Sequence, residues 1–205
     1  MRYYLHFIQK AQKFLLAVSI GIMLVLPLII VFRPELLSET TVLRLYDISH
    51  ITLFFVMIIR PLADIFINNR YIRPLVILRK GMGVLSASVV VSFILAKIIM
   101  GPWIYFGSIF TASYWSLQNY VLFAHLADLS AILLIITSNN FSKRVLGSGW
   151  KSIQKLSYVY FYASSLYVFV TYDNGIMLIS MLIVTLLTMA AFLMNEKRRQ
   201  LIIQQ

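Results

Sequence analysis

Few side chains in this sequence are equipped for chemistry. It contains 3 histidines, 7 acidic residues and no cysteine. The absence of cysteine excludes disulfides, thiolate metal sites and cysteine nucleophiles. His50 and His125 are the informative pair. Asp47 precedes His50 by three positions and Asp128 follows His125 by three. Residues three apart are neighbours on one face of a helix, so each imidazole has a carboxylate beside it. Such a set suggests three uses. The two imidazoles could ligate one heme. His50, His125, Asp128 and Asp47 could hold a divalent metal ion, since both ligand types suit such ions. The same groups could relay protons or contact a quinone. The structural alternative is a pair of hydrogen bonds between helices, with Asp47 capping the helix that carries His50. His6 falls in a short N-terminal segment and reads as solvated or interfacial.

These groups are set in an apolar chain. Of its residues 60% are hydrophobic and 12% are charged, and the mean hydropathy is +0.86. A soluble domain carries about 25% charged residues. The expected class is all-α, an integral membrane bundle of six transmembrane helices. The apolar runs cover about 11–32, 45–67, 75–100, 119–137, 150–171 and 175–194. Each approaches the about 20 residues needed to cross a bilayer core. The first run ends in large aliphatic residues, unlike a cleaved signal peptide. Residues 101–118, rich in Trp, Tyr, Phe, Ser and Gly, read as an interfacial loop with room for one short helix. The chain reads as a single domain, 1–205, with no repeat and no low-complexity tract.

Lysine and arginine set the expected orientation. Arg2, Lys10, Lys13, Arg70, Arg73, Arg79, Lys80, Lys143, Arg144, Lys151, Lys155, Lys197, Arg198 and Arg199 fall on one side of a six-span arrangement. Arg33 and Arg44 fall on the other, with Lys97 near that side. The positive-inside rule then places both termini in the cytoplasm; the expected location is a bacterial inner membrane. The formal charge of +11 is accounted for by this bias, and no nucleic-acid module is visible. The basic, then apolar, tail from Asn195 to Gln205 suits either the anionic inner leaflet or a helix end running into the cytoplasm. Arg60, near the inner end of the second run, is placed to snorkel, or to pair with Asp64 one turn on. On this orientation His50 and His125 both lie about 8 Å below the outer boundary, at 1.5 Å per residue.

Two stretches resemble the ferric-reductase-like transmembrane domain family, and within it the heme-binding membrane subunits of methionine sulfoxide reductase systems. The first stretch is Arg60-Pro61-Leu62 with Leu78-Arg79-Lys80-Gly81-Met82-Gly83. The second is Ile136-Thr137-Ser138-Asn139-Asn140, Val145-Leu146-Gly147 and Trp150 through Tyr158. The resemblance extends over roughly residues 40–190. It implies electron transfer across the bilayer through b-type hemes held by histidines on the third and fifth spans. Here the sequence departs from the pattern. The expected ligand positions fall at Ser92 or Phe93, at Gln154 and at Tyr167, and none is histidine. The usual bis-histidine heme b is therefore not expected, and an unusual heme, a flavin or a quinone takes its place among the candidate cofactors. Small residues mark the third span (Gly81, Gly83, Ser86, Ala87, Ser88, Ser92) and permit close helix approach. Together with aromatic residues they could fill the space a heme would occupy.

Three readings follow. One is a divergent ferric-reductase-like protein in transmembrane electron transfer. A second is a non-catalytic membrane scaffold or interaction subunit. A third is a metal- or proton-handling protein built on His50, His125 and Asp128. No nucleotide loop or hydrolase motif is present, so a reductase role requires a separate redox partner.

Overall fold

The computed structural model describes residues 1–203 and is all-α. Six helices form the bundle: α1 (Arg2–Phe32), α2 (Glu39–Ile65), α4 (Leu78–Met100), α6 (Val121–Thr137), α9 (Leu156–Tyr172) and α10 (Gly175–Ile203). Four short helices connect them: α3 (Ile72–Leu75), α5 (Pro102–Ile109), α7 (Asn140–Leu146) and α8 (Gly149–Gln154). Successive long helices alternate in direction. The bundle therefore has a basic end, holding residues 66–77 and 138–155 with both chain ends, and an aromatic end, holding residues 101–120.

Local signals explain the helix limits. Ser38 caps α2, its Oγ accepting from the Thr41 backbone N–H at 3.2 Å, with Glu39 favourably placed at the positive helix start. Gly101 and Pro102 separate α4 from α5. Asn139 caps α7, its Oδ1 accepting from the Ser142 N–H at 2.7 Å. That cap turns the chain by 95° between α6 and α7.

Helix α4 is the centre of the bundle and packs against α1, α2 and α6. Its inward face is made of small residues. Ser86, Ala87, Ser88, Val89, Ser92 and Ala96 are buried. The buried hydroxyls are satisfied locally: Ser88 donates to the Leu85 carbonyl at 2.7 Å and Ser92 to the Ser88 carbonyl at 2.7 Å. Hydroxyls of this kind turn back onto their own helix instead of standing unpaired in an apolar interior. Gly81 marks the tightest approach: a Cβ built there would lie 3.1 Å from Leu15 Cβ and 3.2 Å from the Gln12 carbonyl oxygen of α1. Ser49 of α2 donates to the Ser86 carbonyl at 3.0 Å, and the Tyr160 hydroxyl of α9 lies 3.1 Å from Ser86 Oγ and 3.4 Å from Ser49 Oγ. Three helices are thus joined through one buried polar cluster. Arg198 closes the basic end of the bundle, its guanidinium donating to the Asp64 and Ile65 carbonyls that end α2, at 2.7 and 3.2 Å.

Four helical stretches are long and apolar enough to cross a membrane: 2–32, 39–65, 72–100 and 175–201. A fifth joins them if α6 and α7 form one bent span. These point to an integral membrane protein in contact with a lipid bilayer. Large apolar side chains also face outward on α1 (Phe14, Leu24, Leu28) and α10 (Ile179, Leu186, Phe192), as lipid contact requires. The six expected runs are not all among these membrane-length stretches. Both α6 and α9 have 17 residues, about 26 Å of helix against a hydrocarbon core of about 30 Å. Two further observations concern the ends, the second in line with the reading of the tail as a continuing helix end. The segment before residue 11 is helical from Arg2, and α10 continues through the basic tail to Ile203. The last two residues of that tail, Gln204 and Gln205, lie outside the described residues.

Candidate functional site at the aromatic end

The loop between α4 and α6 builds one wall of a pocket. Pro102 starts α5 at the helix position where a missing N–H costs nothing. The Trp115 indole donates to the Ile109 carbonyl at 2.8 Å, and the Thr111 hydroxyl donates to the Ser108 carbonyl at 2.6 Å. These bonds fold the loop back over the start of α6, where Tyr120 takes a left-handed φ of 57°. The result brings Tyr114 onto His125, with ring centroids 3.4 Å apart and planes inclined by 10°.

His125, Asp128, Tyr105, Tyr114 and Lys97 line a pocket of about 460 Å³, with Met100 and Ile104 supplying apolar surface. His125 Nδ1 is buried without a hydrogen-bond partner among the described residues. An unpaired buried nitrogen carries a desolvation cost of roughly 1–3 kcal/mol. Asp128 makes no ion pair with a described residue and lies near the exposed Lys97 ammonium. Burial raises the pKa of the Tyr105 and Tyr114 hydroxyls above the ordinary phenol range, and the nearby Asp128 adds to the effect. Both hydroxyls stay protonated at neutral pH; they interact with each other, Tyr114 as the donor, which leaves the Tyr105 hydroxyl free to donate. The pocket thus offers an imidazole in need of a partner, a carboxylate, a cation, two phenols and an aromatic face.

His50 is placed elsewhere. Its Nδ1 lies 2.9 Å from the Tyr46 carbonyl one turn earlier, and its Nε2 is buried without a hydrogen-bond partner among the described residues. It does not line the pocket that holds His125. Asp47 is exposed on α2. Among the described residues, no three His, Cys, Asp or Glu side chains are grouped to hold a metal ion. The candidate set His50, His125, Asp128 and Asp47 is therefore not assembled in this conformation. An expected common depth does not by itself fix whether two residues share a site. The rotation of each helix about its axis decides that, and depth carries no information on it. His6 lies exposed on α1.

The positions where the resemblance implies heme ligands are occupied by packed or bonded side chains. Phe93 stacks on Tyr46, centroids 5.0 Å apart and planes 16° apart. Ser92 is buried and reaches the Ile22 carbonyl of α1 at 3.3 Å. Gln154 donates through Nε2 to Thr137 Oγ1 at 3.3 Å, beside the Trp150 indole, which donates to the Thr137 carbonyl at 2.8 Å. Tyr167 is half-buried on α9.

The chain matches no known family model, no curated protein and no solved structure.

Several parts of this site were not singled out from the sequence. Tyr105 and Tyr114 stand among many aromatic residues of the interfacial loop, where headgroup anchoring is the ordinary role. Lys97 reads equally well as a snorkelling residue. No spacing rule links a loop tyrosine to a histidine 11 residues on. The Ser49–Ser86–Tyr160 cluster has no sequence signature beyond the small residues of α4.

Proposed function

We propose that this chain is a divergent ferric-reductase-like membrane protein that works in transmembrane electron transfer without the usual bis-histidine b hemes, and that its aromatic-end pocket receives a quinone-type ring. On this reading the chain has six spans. Helix α9 is extended toward the basic end by α8, from which only Lys155 separates it. Both termini are cytoplasmic, because the lysines and arginines gather at the basic end.

The observation that carries the proposal is the pocket that His125 and Asp128 line together, with a His125 whose buried Nδ1 has no hydrogen-bond partner among the described residues. The fit is chemical. Apolar and aromatic walls suit a flat ring, and convergent polar groups suit its carbonyl oxygens. A bound quinone supplies carriage of two electrons and two protons. The protein's part is to orient and to move protons. His125 and the Tyr105 hydroxyl would hold the ring's oxygens, and Asp128 would take up or release the accompanying protons. Lys97 offsets negative charge in the pocket. Electrons pass to or from a separate redox protein, since the chain has no cysteine to hold an iron–sulfur cluster.

One observation favours a second reading, a non-catalytic scaffold or interaction subunit. Ser92, Phe93 and Gln154 are engaged by their neighbours, as in a bundle that has filled the space of lost cofactors. Oxidised and dithionite-reduced absorption spectra, with solvent extraction of the purified protein, separate the two. Co-purifying quinone without a Soret band supports the first reading. A strong Soret band overturns the heme-free account. A protein that carries no quinone and binds none when it is added supports the scaffold.

A further inference from the structure

A second cavity lies at the opposite, basic end of the bundle and is not used by the proposed quinone chemistry. Its volume is about 570 Å³. Arg60 of α2, Arg79 and Lys80 of α4, Lys143 of α7 and Lys151 of α8 all line it. No aspartate or glutamate does. The carboxylate nearest in chemistry is Asp64, which is held by Arg60 Nε at 3.0 Å and does not face the cavity.

These five cations come from four helices, so the clustering is a product of the fold. Arg79 is held in place by one bond, from Nε to the Val56 carbonyl at 3.0 Å. Its terminal nitrogens, the forked pair that suits phosphate oxygens, make no hydrogen bond to a described residue. Trp150 forms a rigid wall, fixed through its indole to Thr137, with the Lys143 ammonium 5.4 Å from the ring centroid. Deeper in, the lining changes to Leu53, Val56, Val84 and Leu134, and ends at the buried Tyr160. A cationic mouth over an apolar interior, at the ends of membrane helices, matches a ligand that is charged at one end and oily at the other.

We propose that this cavity binds the phosphate group of an anionic phospholipid headgroup. The guanidinium of Arg79 grips the phosphate, Lys143 and Lys151 close over it from the loop side, and the apolar floor accepts the glycerol and the first acyl carbons. The arrangement ties the α6–α8 segment to α2 and α4 through a lipid. Because the cavity lies at the other end of the bundle from His125, this proposal stands or falls separately from the quinone reading.

The test uses the full chain purified in a neutral detergent. It is titrated with short-chain phosphatidylglycerol, short-chain phosphatidylcholine or inorganic phosphate at matched ionic strength, and binding is read by tryptophan fluorescence, to which Trp150 at the cavity wall contributes, and by the shift in unfolding temperature. Saturable binding of phosphatidylglycerol is expected, with no comparable binding of phosphatidylcholine. One basic residue near an anionic lipid contributes about fivefold in binding. A Lys143→Gln/Lys151→Gln variant, changing two exposed positions, should therefore lose about 25-fold in affinity while keeping its helical circular dichroism. A Lys10→Gln/Lys13→Gln variant removes the same charge from α1, outside the cavity, and should change affinity less than twofold. Equal loss in the two variants, or equal affinity for the two lipids, would overturn the proposal. Saturable binding of inorganic phosphate alone, lost in the cavity variant, would keep the phosphate site and overturn its lipid source.

Discussion

Two glycines of α4, two residues apart, provide a matched test of the packing that holds the bundle together. At Gly81 an added Cβ meets Leu15 Cβ at 3.1 Å and the Gln12 carbonyl oxygen at 3.2 Å. Neither atom can swing aside, because one is fixed to the α1 backbone and the other belongs to it. At Gly83 the same Cβ meets only Val56 Cγ2, at 3.9 Å, an ordinary contact. Both positions lie in the first two turns of α4, so the gain in helix propensity on changing glycine to alanine, up to about 1 kcal/mol, is nearly common to the two. The difference between Gly81→Ala and Gly83→Ala therefore isolates the steric cost of parting α1 from α4. Overpacking of this kind costs typically about 1–3 kcal/mol. Gly83→Ala should match or exceed the parent in stability, and Gly81→Ala should fall below Gly83→Ala by that amount. Titration with a denaturing detergent, followed by circular dichroism, measures both on one scale. A Gly81→Ala protein as stable as Gly83→Ala would refute the close α1–α4 contact.

Further outcomes follow from the polar contacts. Tyr160→Phe removes a hydroxyl shared with Ser49 and Ser86 but leaves those two serines bonded to each other at 3.1 Å. The cost should be about 1 kcal/mol, measured in the same titration; a loss above roughly 3 kcal/mol would mean that the serines do not compensate. Arg198→Ala frees the two carbonyls at the end of α2. Amide exchange should then rise selectively over 62–66 and in the last two turns of α10, and unchanged exchange there would contradict the bond. Phe93→His introduces a histidine at a position where the proposed family resemblance implies a heme ligand. Since Phe93 is stacked on Tyr46 and Gln154 remains unable to ligate iron, the variant should show no bis-histidine heme spectrum, and such a spectrum would contradict the packing described here.

The helices were legible because their signals are redundant. Long apolar runs closed by Arg33-Pro34 and Gly101-Pro102 admit few alternatives, and a short helix emerged within residues 101–118 as the composition allows. The helical reach of α1 back to Arg2 was masked by Arg2, His6 and Lys10, whose polarity interrupts the apolar run without interrupting the helix. The fourth run, 119–137, ends with α6 at Thr137 and begins only two residues before it, whereas the fifth run, 150–171, was read straight through Lys155, where the chain divides α8 from α9. The site was less legible than the fold. Asp128 stands out as a carboxylate in an apolar run, and it does lie with His125. Pairing His125 with His50 rested on depth alone, and their surroundings differ: a stacked tyrosine and a pocket for one, a backbone carbonyl for the other. Contacts made by a loop folding back on a helix end leave no periodic trace in sequence.

The central claim, that the aromatic-end pocket receives a quinone through His125, is tested most directly by equilibrium binding of a short-chain quinone to the purified protein and to a His125→Leu variant. One saturable site is expected in the parent. The variant should bind about tenfold more weakly, the loss of one buried hydrogen bond, with its helical content unchanged. Equal binding by the two proteins, or none by either, would contradict the account.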